Sequence, residues 1–293
     1  MKKANNFVLV IIAISLFRFS SVQNSEDKKM NNFRYFSTLR IITSYNNGLV
    51  LAVDGKGSPL GLDTDKIDEI FANDEKRKLI YHRKLFKVGK NLVVAFGGQL
   101  IRDYGSIQLP EDLIKYFFKE YSINEDNIFQ IDDIAKKLLN FLNNRYYSQP
   151  KEYWKNEASV FLAGLNENEP KVCIILVNSS NNKFGDLKNG IIYYEKFFNV
   201  LKHGPHWQEI EAKSKDISKR FHLIKTKIDN YEAISRKEAI SREEAIYFTL
   251  IMMKECIKIE ASIQKEIEMS IDYPIHYCFI EKNKPIEIKK ITH

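Results

Sequence analysis

Ser37-Thr38-Leu39-Arg40-Ile41-Ile42-Thr43-Ser44-Tyr45-Asn46-Asn47-Gly48-Leu49-Val50-Leu51-Ala52-Val53-Asp54 reads as two β-type runs around a turn. The first run alternates in character; the second is apolar and ends on a carboxylate. Asn-Gly between two such runs is a strong hairpin signal, because both central residues of the tight turn need positive φ. A hairpin turning at Asn46-Asn47-Gly48 sets the start of its first strand beside the end of its second, so Thr38 and Asp54 become neighbours. A hydroxyl, a carboxylate and a nearby base are the makings of a nucleophilic site. The same two residues are also common at the ends of ordinary strands.

Outward from this hairpin, the composition is that of a folded protein. The 293 residues are 44% apolar and 28% charged, enough for one large domain or two small ones. The net charge is +7, but residues 1–37 carry six basic and two acidic side chains, leaving +3 for the remainder. That balance gives no basic stripe for nucleic acid. Cys173, Cys256 and Cys278 lie in apolar runs without paired spacing and read as buried thiols, not as a disulfide framework.

The front of the chain is read as a presequence. Lys2 and Lys3 precede the apolar run Phe7–Phe17 and the small residues Ser20-Ser21, the pattern of a secretory signal over residues 1–23. The run is too short for a comfortable membrane span. Absence of acids before Glu26, with Arg18 and Arg34, also suits an organellar transit peptide, and a start at Met30 would leave a short cytoplasmic propeptide. Residues 24–37 read as propeptide-like in either case, and residues 38–293 as the folded domain.

Beyond Asp54, residues 59–78 read as an extended loop. Leu79 to Val88 and Leu92 to Phe96 read as strands joined across Gly89-Lys90-Asn91 and followed by Gly97-Gly98. Ile101 to Tyr121 reads as mostly helical, broken near Gly105 and restarted by Pro110-Glu111-Asp112. Ile131 to Tyr147 is a second helix with one apolar face. Strands follow at Ser159–Gly164, Lys171–Val177 and Ile191–Tyr194, then a third helix at His206–Lys227. Residues 232–246 hold a six-residue tandem duplication, too short for a solenoid repeat. Ser241-Arg242-Glu243-Glu244 is a capping box for a long helix with a face of Ala245, Phe248, Met252, Cys256, Ile259 and Ile263. Ile275, Tyr277 and Phe279 alternate in a closing strand, partnered by Pro285 to Ile291. This order predicts an α+β fold: a four-layer αββα sandwich, two antiparallel sheets covered by helices.

The quoted stretch resembles the opening of a proteasome β-type subunit, a threonine hydrolase of the N-terminal-nucleophile (Ntn) superfamily. Thr38, Gly48 and Leu51-Ala52-Val53-Asp54 keep that family's register, with Lys56 and Ser58 where it has a basic and a hydroxyl residue. Lys84-Leu85-Phe86-Lys87-Val88 leading to Ala95-Phe96-Gly97-Gly98 resembles its K-(I/V)-x-x-I…A-F-x-G pattern, with Lys84 at the lysine and Gly98 at the glycine. Phe161-Leu162-Ala163-Gly164 with Glu169-Pro170, and Glu243-Glu244-Ala245-Ile246 with Pro274-Ile275 and Phe279-Ile280, extend the likeness over about residues 38–290. The connection after Ser58 is about a dozen residues longer than in the family, which costs little in closure entropy.

The resemblance implies an amide-bond hydrolase acting on peptide or protein. Thr38, freed by processing, is the nucleophile and its own amine the base; Asp54 holds Lys84; the Gly98 N–H meets the oxyanion. It implies no cofactor and no metal, and like subunits in a ring-type oligomer. The chain departs from the pattern at several places. Ser37 stands where self-processing members have Gly. Lys202-His203-Gly204 replaces a Ser-Gly. Glu268-Met269-Ser270-Ile271-Asp272-Tyr273 replaces D-x-x-S-G-G, so Glu268 is the only imitation of that acid. Two further readings therefore stand beside the enzyme: an inactive structural subunit of the same fold, and a secreted amidase working as a monomer or small oligomer. His203-Gly204-Pro205-His206 reads as a loop, with too few ligands for a metal site.

Overall fold

The hairpin forms. In a computed structural model of the chain, β1 (Arg40–Tyr45) and β2 (Gly48–Asp54) pair antiparallel from Arg40↔Val53 to Tyr45↔Gly48. The structure describes residues 38–45, 48–56, 81–98, 102–103, 106–107, 109–147, 157–166, 169–178, 191–194, 200–204, 206, 210, 240–263, 269 and 271–293, all within the unit Tyr35–His293. The presequence, the long loop, the duplication, most of the expected third helix and Glu268 lie outside the described residues.

Gly48 has a different job from the one the turn signal suggested. The connection is the pair 46–47, and Gly48 is already the first residue of β2, paired with Tyr45 and with Glu281. A β-carbon on it would run into the Ile280 carbonyl of the neighbouring strand. Glycine is needed here for close approach of two backbones.

Two five-stranded sheets face each other. The first has the order β10-β1-β2-β11-β12, with β10 Val200–His203, β11 Ile275–Glu281 and β12 Ile288–Ile291. The second has the order β3-β4-β7-β8-β9, with β3 Leu85–Val88, β4 Leu92–Gly98, β7 Glu157–Asn166, β8 Glu169–Asn178 and β9 Ile191–Tyr194. All their pairings are antiparallel. The middle strands are apolar on both faces, as strands buried on both faces must be. Ile42, Leu51, Val53 and Leu85 meet Val93, Ala95 and Phe161 between the sheets.

Helices α1 (Pro110–Glu120) and α2 (Ile131–Tyr147) cover the outer face of the second sheet, with Phe117, Leu138 and Phe141 against Val94, Leu162 and Ile175. Helix α3 (Arg242–Ile263) covers the first, with Phe248, Met252 and Cys256 against Ile41, Val50 and Ala52. The result is the α+β, αββα sandwich. The capping box closes as expected: Ser241 N–H donates to Glu244 Oε2 at 2.8 Å and Glu244 N–H to Ser241 Oγ at 3.1 Å.

Several expectations need correction. Residues 102–103 and 106–107 form a two-stranded ribbon, β5 (Arg102–Asp103) and β6 (Ser106–Ile107), where the sequence suggested helix. A connection of only two residues containing Gly105 favours a hairpin over a helical turn. Strand β4 runs two residues past the expected end at Phe96, with Gly97 and Gly98 paired to Ser159 and Ala158. Lys84 lies just before β3, which starts at Leu85, not within a strand beginning at Leu79. Strand β10 was not anticipated, because Val200-Leu201-Lys202-His203 carries no alternation of its own. Ile263, expected on the buried face, is 60% exposed at the end of α3, while Glu260 is buried.

Candidate active site

The first residues of β1 and the last of β2 are tied together at one end of the sandwich. Asp54 N–H donates to the Leu39 carbonyl at 3.1 Å, and Leu39 N–H donates to Asp54 Oδ1 at 2.8 Å. Lys56 N–H donates to the other carboxylate oxygen at 3.0 Å. Lys84, arriving from the second sheet, donates from Nζ to Thr38 Oγ1 at 3.1 Å and to Asp54 Oδ2 at 3.1 Å, and also to the Lys56 carbonyl. A lysine ammonium has three N–H donors, and all three are engaged. Lys84 is anchored to β4 in turn, since its carbonyl accepts the Phe96 N–H at 2.9 Å. Thr38, Asp54 and Lys84 are therefore one buried cluster, with exposures of 5%, 0% and 3%.

Burial dominates the titration of the pair. It raises Asp54 from the ordinary carboxylate range to about 6, with Lys84 and the backbone N–H groups of Leu39 and Lys56 pulling the other way. It lowers Lys84, opposed by Asp54 and reinforced by the charge of Arg40. Three donors on one carboxylate favour its ionised form, so Asp54 is a carboxylate at neutral pH. Lys84 then holds its proton less firmly than a solvated lysine. If it gives that proton up, two N–H bonds still serve Asp54 and Lys56 while the lone pair faces the Thr38 hydroxyl.

Gly98 ends β4 opposite Ala158. Its neighbour Gly97 packs on the guanidinium of Arg40, two residues after Thr38. Gly204, at φ +132°, lies against the Thr38-Leu39 backbone; a β-carbon there would sit 2.9 Å from the Thr38 carbonyl oxygen and 2.8 Å from Leu39 Cα. Only glycine combines that φ with that contact. His203 ends β10 opposite Arg40, and His206 Nε2 lies 4.0 Å from Glu260 Oε2. Ile271, in the position of the expected serine, is fully buried beneath α3 and offers the site no hydroxyl.

Two contributors escaped the sequence reading. Arg40 is wholly buried between the sheets, and burial pulls it down to about 9, with Asp54 opposing; it stays charged at neutral pH. His276 on β11 faces the same region, pushed down to about 4 by burial and then by the charges of Arg83, Lys290 and Lys84. An arginine alone in an apolar strand, on the same face as Thr38 by the two-residue period, was the available signal for Arg40.

No protein-family model and no curated protein matches the sequence. Among solved structures the chain is similar to Anbu (ancestral beta-subunit) from Yersinia bercovieri, at 14% identity and TM-score 0.50, covering 87% of each chain. The likeness is one of fold: two antiparallel sheets covered by helices. A Gly-1 mutant of Anbu from Hyphomicrobium sp. strain MC1 is also similar, at 11% identity and TM-score 0.48, again over 87% of each chain. This corrects the assignment to proteasome β-type subunits: the likeness found is to Anbu, and it extends to the fold. The physical reason lies in the motifs. A Thr before the first strand, a carboxylate closing the hairpin and a lysine reaching across the sandwich describe how the fold builds a site, and do not single out one family that uses it. Among the described residues no helix is long and apolar enough to cross a membrane.

Proposed function

We propose that this chain is an amide-bond hydrolase of the Ntn class, with Thr38 Oγ as nucleophile once the residues before it have been removed. One observation carries the reading: a buried lysine donates to the Thr38 hydroxyl and to the Asp54 carboxylate at the same 3.1 Å. Thr38 Oγ attacks the carbonyl carbon of the scissile amide, and its proton passes to the freed α-amino group of Thr38. Lys84, held by Asp54, keeps the local potential positive and favours that proton loss. The Gly98 N–H is the donor assigned to the tetrahedral oxyanion. The C–N bond breaks as the protonated amine returns its proton to the leaving nitrogen. The ester left on Thr38 is then hydrolysed by water, regenerating the hydroxyl.

The substrate class is peptide or protein. The similar structure is named a subunit, and we extend to this chain the expectation that like copies associate, with a closed ring as the favoured form. The test is intact mass and N-terminal sequencing of protein from its native host, followed by an electrophile selective for N-terminal threonine. A chain beginning at Thr38 that labels, with labelling abolished in Thr38→Ala, is the expected result. A mature chain that begins elsewhere lacks the amine base and sinks the enzyme reading.

One observation favours a second reading, an inactive structural member of an assembly. Ile271 fills core space where the resemblance called for a serine hydroxyl, so one support of the nucleophile is missing. A mature chain that retains residues before Thr38 yet still assembles would favour it.

A further inference from the structure

Arg40 is the largest fully buried side chain in the described residues, and it is charged. It leaves β1 on the face that Thr38 shares and crosses the gap between the sheets. Its Nη1 donates to the Ser159 carbonyl at 2.9 Å and to the Ala95 carbonyl at 3.3 Å, and its Nη2 donates to Ser159 Oγ at 2.5 Å. The guanidinium lies over the Phe161 ring, 3.9 Å from its centroid. A β-carbon on Gly97 would fall 2.7 Å from Arg40 Cζ, so the backbone of β4 rests directly on the guanidinium plane. Gly98 is the next residue.

We infer that Arg40 is a positioning residue: it bridges the nucleophile strand to β4 and β7 and sets where the Gly98 N–H stands relative to Thr38. The inference rests on the reading of Thr38 as nucleophile and deepens it. The two halves of the site come from different sheets, Thr38 and Asp54 from one, Lys84 and Gly98 from the other. Lys84 ties them on one side and Arg40 on the other. A planar fork holds its five donors in a fixed geometry and can orient two strands at once, where a lysine ammonium offers three donors with no fixed plane. The charge has a second effect, since Arg40 lowers the proton affinity of Lys84. A misplacement of about 1 Å at such a site costs up to roughly a hundredfold in rate.

The test uses the full chain, its Arg40→Lys and Arg40→Met variants, and a readout at Gly98 itself. Gly97-Gly98 is the one Gly-Gly pair among the 12 glycines, so combined carbonyl-¹³C and ¹⁵N glycine labelling gives a single carbonyl-to-amide correlation, from Gly98 N–H. Both variants are expected to move that peak, while Ser241→Ala leaves it in place. With a peptide substrate, kcat is expected to fall about ten- to a hundredfold in both variants with KM within about twofold. The acid limb of the rate profile shifts to higher pH in Arg40→Met, which loses the charge, and stays in Arg40→Lys, which keeps it. If Arg40→Met fails to fold, Arg40→Lys carries the test. A Gly98 peak that stays put in a folded variant overturns the inference, as does a kcat that stays at the wild-type value. If wild-type protein neither turns over nor labels, the Thr38 reading fails, and the Gly98 peak still decides the role of Arg40.

Discussion

Lys84 and Asp54 oppose each other in a site almost closed to water, with exposures of 3% and 0%. Removing one partner strands the other. Lys84→Met is therefore expected to lose about 3–5 kcal/mol of stability, and Asp54→Asn added to it to recover most of that loss. Chemical denaturation of the two variants and the wild type measures both. His276 makes a second residue-level prediction with a definite sign. Its folded value of about 4 lies below the ordinary 6.5, so the unfolded chain binds more protons between those two pH values. Stability from this group is fully present above about pH 6.5 and is lost as pH falls through about 4. Relative to His276→Gln, the wild type should lose on the order of 3 kcal/mol across that window. Denaturant midpoints for the two proteins at pH 4, 5, 6 and 7 check this; parallel curves would refute the buried neutral imidazole.

At the scale of elements, the β1–β2 hairpin carries the site because both its ends are constrained from outside. Strand β2 has β1 on one side and β11 on the other, in register from Asp54↔Ile275 to Gly48↔Glu281. Gly48 lets the β11 backbone close on the turn end. Gly48→Ala is expected to cost at least about 1–3 kcal/mol, the usual range for forcing an extra carbon into a packed core. Because the collision is with the main-chain carbonyl of Ile280, no side-chain rotation relieves it. Thermal and chemical unfolding of Gly48→Ala read the loss, and a neutral result would mean that β11 pairs less tightly with this end of β2. Helix α3 shows the opposite sensitivity. Its cap is written locally in Ser241 and Glu244, while its packing rests on Phe248, Met252 and Cys256 against the sheet.

At the scale of the whole molecule, two sheets and their helices bring Thr38 from one layer and Lys84 from another to one buried point. Association of like chains should show as a mature protein sedimenting as a discrete multiple of the chain mass; a monomer at micromolar concentration would count against the assembled form. The sequence by itself determined the hairpin, helix α2 with its bounds, the α3 capping box, the layered αββα order, and Thr38, Asp54 and Lys84 as the residues to watch. The hairpin, the helix and the cap are written in short-range signals: a period of two, a period near 3.6 and a Ser–Glu box. Thr38, Asp54 and above all Lys84 stand out through the family resemblance, since a hydroxyl, a carboxylate or a lysine at a strand end is ordinary by itself. Only the tertiary structure decided why Gly48 is glycine, that Gly97 and Gly98 belong to a strand, that residues 102–107 pair instead of coiling, and that β10 exists. It alone placed Arg40 across the gap. These depend on what arrives from far along the chain: Ile280 beside Gly48, Ser159 opposite Gly97, and His203 opposite Arg40. Pairings between strands so distant in sequence leave no periodic trace in either strand, because each is set by packing that neither segment contains alone.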